Sequence, residues 1–244
     1  MRTANRDWFS PLDDPGEALV GVEPSLSVLR KFAGTLRRSA HPTIYMSAAL
    51  WVLAHHGELS TDRVVEALIP LYDVARLDDA ARHYGYDDYF VEIENEPAWV
   101  SDRASESLAG LRGAFNAMDP LPPDGPIDGR HYFLAGEKIH LVTHAHAVLT
   151  LEELGHADLV ALANRAQRSL LRLTTASHCL EAPVIAPATH TPLDQEFRQS
   201  EVRDPAHLIK LAEAVVAGVP RLPEWERQVA RVKLARIWTL LGIA

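Results

Sequence analysis

The run Thr43 to Ala54 is apolar nearly all round, carrying Ile44, Met46, Ala48, Ala49, Leu50, Trp51, Val52 and Leu53. A helix with apolar side chains on every side is a buried helix, one that other elements must surround. Both of its ends are legible. His41-Pro42 opens it, because proline in the first helical turn lacks only an N–H that would have gone unpaired. His55-His56-Gly57 closes it, glycine taking the left-handed cap conformation cheaply. The few polar groups, His41, Tyr45 and His56, fall near one another at four- and eleven-residue steps.

Helical periods recur on both sides of this run. Residues 1–23, with Pro11, Pro15 and Gly16, read as an irregular lead-in that packs on the body or frays. Ser25 to Arg38 is helical, with Leu26, Val28, Leu29, Phe32 and Leu36 on its apolar side and Pro24 before it. Ser60-Thr61-Asp62 caps a helix through Val64, Val65, Leu68, Ile69 and Leu71, which Pro70 kinks or ends. Asp73 to Tyr84 and Ser101 to Met118 are further helices, with an aromatic turn over 84–90 between them.

Residues 119–129 hold four prolines and two glycines, which neither helix nor strand ladder tolerates. They read as a surface linker between two helical halves. Beyond it, 131–153 is a histidine-bearing helix, breaking near Gly136 and ended by Gly155. His156 to Thr175 is its partner, with Leu159, Leu162, Ala166, Leu170 and Leu173 as the seam. A Pro-rich loop over 177–192 contains His178 and His190, and a loop of that length is usually functional or mobile. Asp204-Pro205 starts a helix over 205–219, and Leu222 to Leu241 forms the last, closed by Gly242. No strand alternation of convincing length occurs. The expectation is one all-α domain over 1–244, a multi-helix bundle whose two halves pack around a central site.

Net charge of -9 with a pI near 5.7 disfavours nucleic acid as a partner, since phosphate binding needs a basic stripe. The single cysteine, Cys179, excludes an internal disulfide. No apolar run reaches the roughly 18 residues of a membrane span. The N-terminus lacks the apolar core of a signal peptide, so the expectation is a cytoplasmic protein without a membrane partner. Sequence leaves the oligomeric state open. Histidine is the unusual count, at twelve.

Three of those histidines, His140, His144 and His146, lie close together in the segment Gly136 to Ala147. Residues four apart share a helix face, so His140 and His144 point the same way and can grip one metal ion. The alternative is a pair of structural histidines. In Pro205 to Val219 the polar residues His207, Lys210 and Glu213 recur at every third position. This stripe is either the solvent face, with Leu208, Leu211 and Val215 inward, or the wall of a water-poor site. In such a site desolvation favours neutral Lys210, which then acts as a base or captures carbon dioxide as a carbamate ligand. His41, the His140/His144 pair and the His207/Lys210 pair could converge between three helices, as metal ligands do in helical bundles. Imidazole suits iron, zinc, copper or nickel alike. The chain lacks HExxH, a histidine-aspartate doublet, CxxC, Walker A, GxGxxG and GxSxG.

With His140-Leu-Val-Thr-His144-Ala-His-Ala147 and Asp204-Pro-Ala-His207-Leu-Ile-Lys210-Leu-Ala-Glu213-Ala214, the chain resembles the questin oxidase-like family. His41-Pro-Thr-Ile-Tyr45 and Ala54-His-His-Gly57 look like that family's histidine-bearing helices. The resembling segments cover about a quarter of the chain. The resemblance implies an all-helical oxygenase that uses O₂ on an aromatic polyketide of the anthraquinone type, cleaving or oxygenating a ring. It implies a mononuclear non-haem iron, as Fe²⁺, held by several histidines and a lysine that can be carboxylated. Carried over residue by residue, His41, His140 and Lys210 are the leading ligands, with His207 and His144 next. Family members are commonly longer, and several carry a histidine where this chain has Tyr45. A site one ligand short binds metal without it, uses Tyr45, or is dead. Two other readings stay open: a non-catalytic helical binding or scaffold protein, and a cofactor-free cyclase or isomerase with His140 or His144 as general base.

Overall fold

The computed structural model describes residues 19–36, 40–70, 106–118, 133–176 and 205–240; the side chains of 106, 133–138, 172–176, 205–208 and 235–240 are not among them. The helix expected over 73–84, the aromatic turn, the Pro/Gly linker and the Pro-rich loop with His178 and His190 lie outside the described residues. Those residues form eight α-helices and no sheet, so the chain is all-α as expected. In chain order they are α1 (Glu23–Phe32), α2 (His41–His55), α3 (Asp62–Leu68), α4 (Glu106–Asn116), α5 (Phe133–Glu153), α6 (Ala157–Ala176), α7 (Pro205–Gly218) and α8 (Glu224–Leu240).

Local chemistry explains where these helices begin and end. In α1 the acidic Glu23 sits in the first turn and Arg30 and Lys31 in the last, matching the helix dipole. Thr61 caps α3, its hydroxyl accepting from the Val64 N–H at 3.4 Å. The end of the lead-in is pinned rather than frayed: Val20 N–H donates to Ser60 O at 2.8 Å, and the Ser60 hydroxyl returns to Val20 O at 2.8 Å. At the end of α5, Gly155 adopts φ +80°. His156 N–H then donates to Leu151 O and Gly155 N–H to Glu152 O, each at 3.0 Å. This is the left-handed cap that glycine favours. Gly155→Ala is expected to lower stability by about 1 kcal/mol, measured by urea denaturation, because a Cβ disfavours that φ.

The helix surrounded on every side is α5, not α2. From Ile139 to Leu151 every residue of α5 is buried except the half-buried His146. It packs against α2, α4, α6, α7 and α8. Its Ile139, Leu141, Val142, Ala145 and Leu149 join one core cluster with Leu111, Phe115, Leu211 and Val215, while Val148 and Leu151 join a second with Leu29, Met46 and Leu50. By contrast α2 leaves Tyr45, Trp51 and Val52 exposed, which corrects the expectation that it is buried all round. Periodicity reports which side chains a helix carries, not which neighbours cover them.

Smaller departures have local causes. Helix α1 stops at Phe32, before Gly34, instead of continuing to Arg38. Helix α5 runs unbroken through Gly136, since a single helical glycine costs only about 1 kcal/mol. Leu162 is at the surface, whereas Leu159, Ala166 and Leu170 form the buried seam of α6. Helix α2 ends at His55 with His56 at φ -130°, so Gly57 is not a left-handed cap and instead begins a 3₁₀ turn.

Helix directions follow from the contacts. Helices α5 and α6 are an antiparallel hairpin around Gly155. Helix α2 runs parallel to α5, since His41 meets His140 while Met46 and Leu50 share a cluster with Val148 and Leu151. Helix α7 also runs parallel to α5, with Lys210 at the His41 end and Arg221, just past α7, paired with Glu153 at the other. Arg112 of α4 grips the buried Glu226 of α8, its Nε at 3.0 and 2.9 Å from the two carboxylate oxygens. Parallel α2 and α7 therefore bring their first turns to the same level of α5.

Candidate functional site

At that level three nitrogens meet. His140 Nε2 lies 3.1 Å from His41 Nε2, and Lys210 Nζ lies 2.7 Å from the same His41 atom. The two imidazoles stand edge to face, at 76° with centroids 4.4 Å apart. His140 and Lys210 are buried, at 5 % and 6 % exposure, and His41 is half-buried. Ala40, the residue before His41, holds φ 62°, a left-handed conformation that a Cβ disfavours. Backbone strain of this kind persists only where the surroundings impose it, and it sits where the chain turns His41 into the bundle.

The contact has a proton-counting problem. An imidazole nitrogen carries either one proton or one lone pair. His41 Nε2 therefore satisfies one good hydrogen bond, yet two further nitrogens stand within hydrogen-bonding distance of it. A cation removes the conflict, because all three nitrogens then turn lone pairs toward it. The spacing of the two imidazoles fits: donors about 2.1 Å from a common metal and 3.1 Å from each other subtend about 95°, near an octahedral angle, while the 2.7 Å between Lys210 and His41 corresponds to a tighter angle of about 80°. Among the described residues no three His, Cys, Asp or Glu side chains gather at metal-binding distance. The third nitrogen here belongs to a lysine.

Tyr45 touches the centre through its ring. Its ring stacks on His41, at 13° between planes and 5.3 Å between centroids, and the residue is 45 % exposed. It fixes the plane of the His41 ring and lies at the open edge of the centre. His207 is on the first turn of α7, with its side chain outside the described residues. The expected His207/Lys210/Glu213 stripe does not share one environment. Lys210 is buried beside Leu211, whereas Glu213 is accessible, with partial desolvation raising its carboxyl above the usual range.

His144 leaves the centre for another partner. Four residues at 100° each bring it about 40° round α5 from His140, enough to face α6. There Nδ1 is 2.7 Å from Gln167 Oε1, and Gln167 Nε2 donates to Leu141 O at 3.1 Å. Gln167 is a residue that sequence reading missed. The available signal was a glutamine within the apolar seam of Ala163, Ala166 and Leu170. Burial, only partly offset by Gln167, pushes His144 down to about 4, and burial with Arg221 nearby pushes His146 down to about 4. At neutral pH His144 is thus a neutral imidazole with one ring proton and one lone pair, and its lowered basicity makes it a weak general base.

A depressed histidine pKa makes stability fall as the pH is lowered. Between about 6.5 and about 4 the unfolded chain binds a proton at His144 that the folded chain refuses. Moving from pH 7 to 4 is expected to remove about 3 kcal/mol through this group. His146 acts with the same sign. The check is urea denaturation at several pH values, with His144→Phe expected to flatten the slope.

Among the described residues no helix is long and apolar enough to cross a membrane. Comparison with protein-family models, with curated proteins and with solved structures finds no match.

Proposed function

We propose that the chain is a non-haem iron oxygenase acting with O₂ on an aromatic, anthraquinone-like polyketide. The observation that carries this reading is the convergence of His41, His140 and Lys210 from three separate helices onto one point. The substrate class rests on the resemblance of the motifs around those same residues.

His41 and His140 would hold the metal through Nε2. Lys210 would hold it as a neutral amine, or as a carbamate formed by adding carbon dioxide at Nζ and releasing a proton. Iron in this position supplies the redox chemistry that O₂ requires. The chain's own residues do the rest. Stacking on Tyr45 keeps the His41 ring in plane, and the apolar walls of α5 and α7 exclude water around Lys210. Tyr45 also offers an exposed aromatic face at the rim, against which a planar substrate can lie.

The test is oxygen uptake with a hydroxylated anthraquinone after anaerobic loading with Fe(II). Uptake that requires both iron and the quinone, with a ring-cleaved or oxygenated product, supports the reading. Conversion unaffected by a chelator and by removal of O₂ would favour the cofactor-free alternative instead.

A further inference from the structure

Apart from the His41–His140–Lys210 contact, the most constrained polar group inside the bundle is the chain His144–Gln167–Leu141. The Leu141 carbonyl can only accept, so the Gln167 amide must turn its NH₂ toward it, at 3.1 Å. Oε1 of Gln167 is then the atom facing His144, and Oε1 can only accept. The 2.7 Å contact therefore requires the proton on His144 Nδ1. Nε2 is left as a bare lone pair on a residue at 0 % exposure, with no hydrogen-bond partner among the described residues. A buried acceptor left unmatched costs about 1–3 kcal/mol. A leucine would have avoided that cost.

A second orphan lies on the facing helix. Thr43 Oγ1 is fully buried and has no hydrogen-bond partner among the described residues. Thr43 shares a face of α2 with Met46 and Leu50, which pack in one cluster with Val148 and Leu151 of α5. Since α2 and α5 run parallel with His41 beside His140, Thr43 falls between the levels of His140 and His144. An internal water needs two or more polar partners, and these two atoms are of the right kinds.

We infer that Gln167 is a positioning residue that locks His144 as the Nδ1–H tautomer, so that Nε2 receives a hydrogen bond from an O–H donor bound inside the bundle. The donor is either a water shared with Thr43 or the hydroxyl of a phenolic ligand. This inference stands independently of the metal reading, because its readout involves no metal.

The experiment is nitrogen NMR of full-length protein labelled at histidine, with His144 assigned by loss of its signals in His144→Phe. The expected wild-type result is a proton on Nδ1 and a hydrogen-bonded lone pair on Nε2. Gln167→Leu is expected to release the tautomer, giving a mixture or an Nε2 proton. Should Gln167→Leu fail to fold, Gln167→Glu keeps an acceptor on Nδ1 and is expected to keep the proton there. A wild-type proton on Nε2, or a tautomer unchanged in Gln167→Leu, would overturn the role of Gln167. The donor is read from the same signal. A hydrogen-bonded Nε2 in ligand-free protein that Thr43→Val abolishes identifies water. A response only on titration with phenol identifies a ligand hydroxyl. A free lone pair in both conditions overturns the binding site.

Discussion

A Lys210→Met variant is expected to be at least as stable as the metal-free wild-type chain while losing its metal. Lys210 is buried at the junction of α2, α5 and α7, where an amine is poorly solvated. Methionine fills much the same unbranched volume without a polar end, so the packing survives. The same substitution removes one of three converging nitrogens. Changes to groups merely supporting a ligand weaken metal binding 10–100-fold, so loss of a ligand is expected to weaken it by at least about 100-fold. Calorimetry on metal-free protein together with Fe(II) titration reads both effects. A variant that melts far below wild type and still binds Fe(II) normally would mark Lys210 as structural.

Leu151→Ala is expected to do the reverse. Leu151 is fully buried on α5, in the cluster with Met46, Leu50, Val148 and Leu159. Truncation removes transfer free energy and leaves a cavity, which costs about 2–5 kcal/mol. In a chain of this size that lowers Tm by about 10 °C. The chain that stays folded is expected to bind metal as the wild type does, because Leu151 lies about three turns from His140. Val232→Ala on the exposed side of α8 serves as the control, expected to shift stability by less than about 0.5 kcal/mol. A small loss at Leu151 would mean that α5 is not the spine of the bundle.

These two variants separate what the sequence made legible from what it did not. Some helix boundaries are readable because they depend on local chemistry: Pro42, Thr61 and Gly155 act within a turn of themselves, whereas the ends of α1 and α2 differ from the expected Arg38 and Gly57 cap. Which helix becomes central was not readable. Both α2 and α5 carry apolar residues nearly all round, and only the packing of α4, α6 and α7 decides that α5 is enclosed. The polar groups on α5 then divide by partner. Thr143 and Thr150 satisfy themselves on backbone carbonyls of their own helix, at 2.9 and 3.1 Å. His140 and His144 cannot, and each reaches a neighbouring helix.

The spacing of His140 and His144 allows one shared metal, beside the alternative of two structural histidines. A rotation of about 40° between them is negligible on an exposed helix, but here it chooses between α2 and α6. The motifs around His41, His140 and Lys210 point to them as ligands, and the contacts bring His140 and Lys210 to the same nitrogen of His41. Use of Tyr45 is one of three outcomes the sequence leaves for a site one ligand short. Its position one turn after His41 brings its ring to stack on that imidazole. Gln167 went unnoticed because one glutamine among apolar residues gives little periodic signal. Its significance depends on a carbonyl 26 positions away in sequence.

The central claim is that His41, His140 and Lys210 hold one metal ion. Elemental analysis of freshly purified protein, beside His140→Ala made in the same way, tests it most directly. The expected result is close to one iron per wild-type chain and background iron in a folded His140→Ala. Wild-type protein that is folded, yet takes up no metal after anaerobic Fe(II) loading, would contradict it.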